Sequence, residues 1–399
     1  MNIAFARVLH YSIIHSFTIQ KTAEFPIAGR PRPTFQIQTM IPLKSLMVSA
    51  YTVPTDGPES DGTLTWDSTT MVLVELEAGG KTGLGYTYAD ASVARLIDKT
   101  LRKVVEGEDA MQIPAIWQKM VAHIRNNGNS GLTHMAIAAI DIALWDLKAK
   151  LLDLPLASLL GMAKNDMLLY GSGGFTSYSV ERLQKQLGGW VDAGIGFVKM
   201  KIGREPEQDV ARAKAAKEAI GEGTLFVDAN GAYSAKQAIA LAHEFDALGV
   251  TWFEEPVSSD DLAGLRFIRE HAPRAMNIAA GEYGFNLTYF ERMLDAGAVD
   301  VLQADATRCG GITGFLRAGA VCLAHHLPFS SHCAPALHLH PALALPNFHI
   351  AEYFYDHVRI EKMFFDEVPE PKNGKLAPDL SRPGLGLDFK RKDAVKYEL

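Results

Sequence analysis

From about residue 165 onward, short apolar segments recur at a nearly even spacing of about 25 residues, the period of one strand–helix unit. They read LLYGSGGF, GFVKMKIG, TLFVDAN, VTWFEEP, MNIAAGE, VDVLQAD, LPFSSHC and FHIAEYF. Amphipathic helical stretches such as SAKQAIALAHEFDALG and GGITGFLRAGAVCLAHH lie between them. Strands that are apolar throughout are covered on both faces, and their alternation with helices implies a parallel sheet. Eight such strands suggest a closed (β/α) barrel. An open doubly wound sheet is the competitor, but no Gly-rich phosphate loop follows the first strand.

The preceding segment has another rhythm. LMVSAYTV and TTMVLVELEAGG read as strands, and THMAIAAIDIALWDLKAKLL reads as a helix. Strands first and helices after indicate an α+β unit. Between the two strands, PTDGPESDGTLTWDS is rich in turn formers and reads as a mobile loop. Residues 1–43 read as an extension outside the folded core. They begin MNIAFARVLHYSIIHSFTIQ, without the pattern of a secretory signal peptide, and continue into the linker-like IAGRPRPTF. The expected divisions are a capping domain over 44–162, a barrel over 163–365 and a C-terminal segment over 366–399.

A chain of 399 residues with 48% hydrophobic and 21% charged residues can bury a large core. Its net charge of −7 argues against nucleic acid or an anionic membrane as the main partner. An anionic substrate would need a local cationic site. No stretch is apolar for long enough to span a bilayer. Cys309, Cys322 and Cys333 show no paired spacing, which fits free thiols in a reducing, cytoplasmic setting.

Catalytic groups of a parallel barrel gather at the C-terminal ends of its strands. Here those ends carry Lys199 and Lys201, Asp228 and Asn230, Glu254 and Glu255, Glu282, Asp305, His332 and Glu352. Asp228, Glu254 and Glu282 are each about one β/α unit apart, so neighbouring strand ends would converge three carboxylates on one point. Uncompensated, they would repel one another. A hard divalent cation resolves this, and all-oxygen ligands suit Mg²⁺ or Mn²⁺ rather than Zn²⁺. Pairing of one carboxylate with an arginine is the plainer reading, but it does not account for the repeated spacing.

Asp305 and His332 fall on adjacent strands, where a carboxylate can orient an imidazole and stabilise its charged form. His325, His326, His338 and His340 lie away from strand ends and read as structural. Lys199 and Lys201 share one face of a strand. On an exposed face the pair would mean little. Confined opposite the Asp–His pair, each ammonium disfavours the other's charge, and a neutral lysine is a base. Two bases flanking a metal-bound substrate suggest proton chemistry at one carbon.

The motifs KMK, FVDAN, WFEEP, AAGE, LQADATRCGGITG and SSHCAPALHLH, in this order over about residues 46 to 390, resemble the enolase superfamily and its mandelate racemase subgroup. The resemblance implies an α/β fold, a (β/α)₇β modified TIM barrel with an N-terminal α+β capping domain to which the C-terminal segment returns. It implies Mg²⁺ on Asp228, Glu254 and Glu282. It implies Lys201 as base on one face, with Lys199 lowering its pKa and touching the substrate carboxylate. The Asp305–His332 dyad would serve the other face. Glu352 would hydrogen-bond the substrate carboxylate, and Asn230 would support the metal region.

The reaction implied is abstraction of the proton α to a carboxylate through an enediolate, with dehydration of an acid sugar expected first and racemisation or epimerisation second. The partner is a small carboxylate, and a homo-oligomer is expected. Specificity is expected from the 54–67 loop with Trp66, from Tyr86, Thr87 and Tyr88, and from Arg308. The rivals outside this class are a metal-free Schiff-base aldolase using Lys201 and a non-catalytic barrel.

Overall fold

The computed structural model describes residues 40–399; residues 1–39, most of the expected extension, lie outside the described residues. Pro42 bridges to Asp109 and Leu43 is buried, so these two residues already belong to the capping unit. That unit is an antiparallel sheet of β1 (Ser45–Ser60), β2 (Thr65–Ala78) and β3 (Lys81–Tyr88).

The segment read as a mobile loop is mostly strand. β1 runs through Pro54 and Gly57 to Ser60, with a register shift between Pro54 and Glu59, and pairs with β2 as far as Ser60 opposite Thr65. The turn formers act as a bulge rather than as a loop. Tethers to the barrel hold this extended conformation. Thr176 N–H donates to the Ser60 carbonyl at 2.8 Å, and Ser177 Oγ donates to the Pro58 carbonyl at 2.8 Å.

The helix Leu132–Leu151 is apolar nearly all round because it is sandwiched between the capping sheet and the barrel. It lies so close to β3 that a Cβ at Gly83 or Gly85 would come within 2.2 Å of a helix carbonyl. Its Asp146 is fully buried and accepts Leu84 N–H and Leu385 N–H, each at 2.7 Å. It thereby joins the capping sheet to the C-terminal segment. Asp146→Ala would strand both donors and is expected to cost about 2–4 kcal/mol, read as a lowered urea midpoint with unchanged slope.

The barrel strands are β4 (Met167–Gly173), β5 (Phe197–Lys201), β6 (Thr224–Asp228), β7 (Trp252–Glu254), β8 (Asn277–Ala280), β9 (Val301–Ala304), β10 (Phe329–Ser331) and β11 (Phe348–Phe354). They pair in sequence order, all parallel, and β11 closes on β4. The eight apolar segments of the sequence supply these strands. Inside, Tyr170, Phe226, Trp252, Ala279, Val301 and Ile350 form an apolar floor, with Phe226 and Trp252 stacked at 5.1 Å.

The C-terminal segment first adds β13 (Lys375–Leu376) to the start of β4. It then pairs β14 (Asp388–Phe389) with β12 (Phe365–Asp366), and ends with Leu399 N–H donating to the Ala50 carbonyl of β1. No helix among the described residues is long and apolar enough to cross a membrane.

Candidate active site

Barrel register builds the site. Lys201, Asp228 and Glu254 are directly opposite one another across β5, β6 and β7. Each of Asp228, Glu254 and Glu282 offers one oxygen within 4.8 Å of the others, and all three are buried. Glu282 Oε2 is buried with no hydrogen-bond partner among the described residues. Among the described residues, six buried carboxyls (Asp228, Glu254, Glu255, Glu282, Asp305 and Glu352) have only Lys199, Lys201 and Arg308 as lysine or arginine partners. Such a deficit of positive charge and an unpartnered carboxylate oxygen are what a divalent cation would correct, and the oxygen donors suit Mg²⁺.

Lys199 Nζ lies 2.5 Å from Glu254 Oε1, 2.8 Å from Glu352 Oε1 and 3.3 Å from Asp228 Oδ2. Lys201 Nζ lies 2.5 Å from Asp228 Oδ2. Burial opposes the charge of Lys201, Asp228 favours it and Lys199 opposes it; the balance raises its pKa above the ordinary lysine value. The mutual depression expected of the lysine pair is therefore present but outweighed by the carboxylate. For Glu254, burial first and Asp228 second push the pKa well upward.

His332 Nδ1 is 2.8 Å from Asp305 Oδ2. Burial opposes the Asp305 charge, but the His332 hydrogen bond and charge outweigh it and hold Asp305 below the usual carboxylate range. The main-chain N–H of Thr307 also donates to Asp305 Oδ1 at 2.7 Å. With Nδ1 engaged, Nε2 is the nitrogen left to face the cavity.

A cavity of about 340 Å³ opens above this cluster. Lys201, Glu282, Asp305, His332, Asn230 and Arg308 reach its lining. Lys199 and Glu352 do not. Both are fully buried beneath it, and Glu352 is held by Ser172 Oγ at 2.6 Å and Cys333 N–H at 2.9 Å. From there Lys199 braces Glu254 and Glu352, which it pairs with directly.

Trp66 lines the cavity from the capping hairpin, its ring edge-on to Phe175 and its Nε1 donating to Glu59 Oε2 at 3.1 Å. Of the three residues at the end of β3, only Tyr88 reaches the cavity. Tyr86 donates to Glu361 and Thr87 to the Thr307 carbonyl. Arg308 donates to the Glu282 carbonyl at 3.1 Å and lies over the Tyr283 ring, so part of its role is to fix carboxylates.

The chain matches the family described as mandelate racemase/muconate lactonizing enzyme, N-terminal domain, over residues 45–161, and enolase C-terminal domain-like over residues 182–394. It belongs to the mandelate racemase/muconate lactonizing enzyme group of the enolase superfamily.

Within this group it is 34% identical to 3,6-anhydro-alpha-L-galactonate cycloisomerase of Streptomyces coelicolor, over 80% of this chain and 90% of that one. It is 32% identical to L-talarate/galactarate dehydratase of Salmonella typhimurium, over 79% and 80% respectively. Its structure superposes on a mandelate racemase/muconate lactonizing enzyme-like protein from Rubrobacter xylanophilus with a TM-score of 0.88 and 55% identity, covering 90% of this chain and all of that one. Two cavity residues of this superfamily member escaped sequence reading. His357 stacks on Tyr88 at 3.4 Å, a contact between domains that no local pattern signals. Cys333 places its thiol 3.2 Å from His332 Nε2. Its position directly after a strand-end histidine was the available signal.

Proposed function

We propose that the chain removes the proton α to the carboxylate of an acid sugar and expels the β-hydroxyl as water. The observation carrying this reading is that Lys201 and His332 reach one cavity from β5 and from the end of β10, with the carboxylate cluster on β6, β7 and β8 on the arc of the ring between them. Asp228, Glu254 and Glu282 would hold Mg²⁺. Bound there, it would draw charge from the substrate carboxylate and offset the negative charge that builds when the adjacent carbon loses its proton.

Asp228 is both a partner of Lys201 and one of the residues that would hold the cation, so a bound cation would compete with Lys201 for the carboxylate that favours its proton. His332, with Nδ1 fixed by Asp305, presents Nε2 to take a proton or to return one to the departing hydroxyl. The support for sugar acids is that the relatives above carry the names of a galactarate dehydratase and an anhydrogalactonate cycloisomerase. A Schiff base on Lys201 is disfavoured, because that chemistry needs no metal and leaves the three-carboxylate cluster without a role.

Epimerisation is the second reading, and it is favoured by a candidate base on each side of the cavity. Incubating the Mg²⁺-loaded enzyme with a panel of aldonates and aldarates in D₂O distinguishes them. Dehydration gives a 2-keto product with deuterium incorporation, epimerisation gives α-deuterated acid of both configurations, and neither from any acid sugar would reject the proposal.

A further inference from the structure

We propose that His332, Cys333 and Glu352 form a second metal site, distinct from the three-carboxylate cluster, that captures a thiophilic divalent cation of the zinc class and thereby blocks His332. The three donor atoms are already arranged as one face of a tetrahedron. Cys333 Sγ is 3.2 Å from His332 Nε2 and 3.5 Å from Glu352 Oε2, and His332 Nε2 is 3.8 Å from Glu352 Oε2. With zinc–ligand bonds of about 2.0–2.3 Å, tetrahedral donors stand about 3.3–3.6 Å apart, so shifts of a few tenths of an ångström complete the site.

The donors are held in place before any metal arrives. His332 is fixed through Nδ1 by Asp305, and Glu352 through Oε1 by Ser172 and Lys199. Cys333 adopts φ 53°, a backbone region where glycine or asparagine is the ordinary occupant, yet a thiol stands there and points at the imidazole. A second observation places the fourth corner. The unpartnered, buried Glu282 Oε2 is 3.4 Å from His332 Nε2, facing the same space, and the cavity reaches both His332 and Cys333. Water from the cavity can complete the coordination, leaving Glu282 to the carboxylate cluster.

Donor chemistry separates the two sites. Thiolate and imidazole select zinc-like ions, whereas an all-carboxylate cluster suits Mg²⁺. As the sulfur–metal bond forms, Cys333 releases its proton to solvent. His332 binds through the Nε2 lone pair and keeps Nδ1–H on Asp305. The lone pair is then unavailable to substrate. Zinc should therefore inhibit in competition with substrate and without competing with Mg²⁺. The inhibition rests on the proposed proton-transfer role of His332; the binding does not.

The test has two arms, so that failure of that role can be told from failure of the site. In the first, Co²⁺ is titrated into the full-length enzyme at saturating Mg²⁺. One equivalent is expected to produce the near-ultraviolet thiolate-to-cobalt absorption, absent in Cys333→Ser and in His332→Asn. No such absorption in the wild type, or the same absorption in folded Cys333→Ser, would overturn the site. Should neither variant fold, alkylation of Cys333 in the native wild type, mapped by mass spectrometry, decides: zinc must slow it. In the second arm, each protein's rate with zinc is compared with its own zinc-free rate. Cys333→Ser is expected to tolerate at least about tenfold more zinc, as removal of a ligand implies. Inhibition that excess Mg²⁺ relieves, and that Cys333→Ser leaves unaltered, would place zinc in the carboxylate cluster and overturn the proposal.

Discussion

Lys201→Met is expected to abolish exchange of the α-proton from one face of the substrate carbon while leaving the other face open to His332. Methionine keeps the length and packing of the side chain, which is nearly fully buried, but removes the amine and its 2.5 Å pairing with Asp228. Loss of one acid–base group lowers turnover by about 10²–10⁴-fold. His332→Asn should give the complementary defect, losing the opposite face and the proton delivered to the leaving hydroxyl. NMR of a substrate incubated in D₂O reads both directly. Wild-type exchange in either variant would remove that residue from the mechanism.

Glu282→Gln should be as damaging for a different reason. The amide preserves the shape of the side chain but removes one of the three negative charges that would hold the cation. Turnover is expected to fall by at least about 10³-fold, in keeping with several kcal/mol of charge stabilisation from a bound metal. Calorimetry should show Mg²⁺ affinity falling in parallel, while the circular dichroism spectrum is unchanged. Full activity of the wild-type protein after exhaustive chelation would dispose of the metal assignment altogether.

The barrel was readable because its strands are apolar on both faces and end in ionisable residues, so period and chemistry coincide. FVDAN and WFEEP show both signals within a few residues. The hairpin carrying Trp66 was not readable in the same way. Pro54, Gly57 and Pro58 have low strand preference, and what keeps them extended is contact with Ser177 and Thr176, more than a hundred residues away. Burial of Lys199 and Glu352 below the cavity was likewise hidden. Strand alternation gives the face on which a side chain stands, but not the height to which it reaches. Nor could the sequence weigh Asp228 against Lys199 in setting the state of Lys201, since that depends on distances across strands.

The aromatic floor offers a practical consequence. Trp252 is buried, stacks on Phe226 and donates its indole N–H to Glu254 Oε2 at 2.9 Å. Of the five tryptophans, it is the one wired to the carboxylate cluster. An indole's excited state is sensitive to charge beside its ring nitrogen. Its emission therefore serves as a built-in optical gauge of whatever Glu254 is holding, readable without label, substrate or turnover.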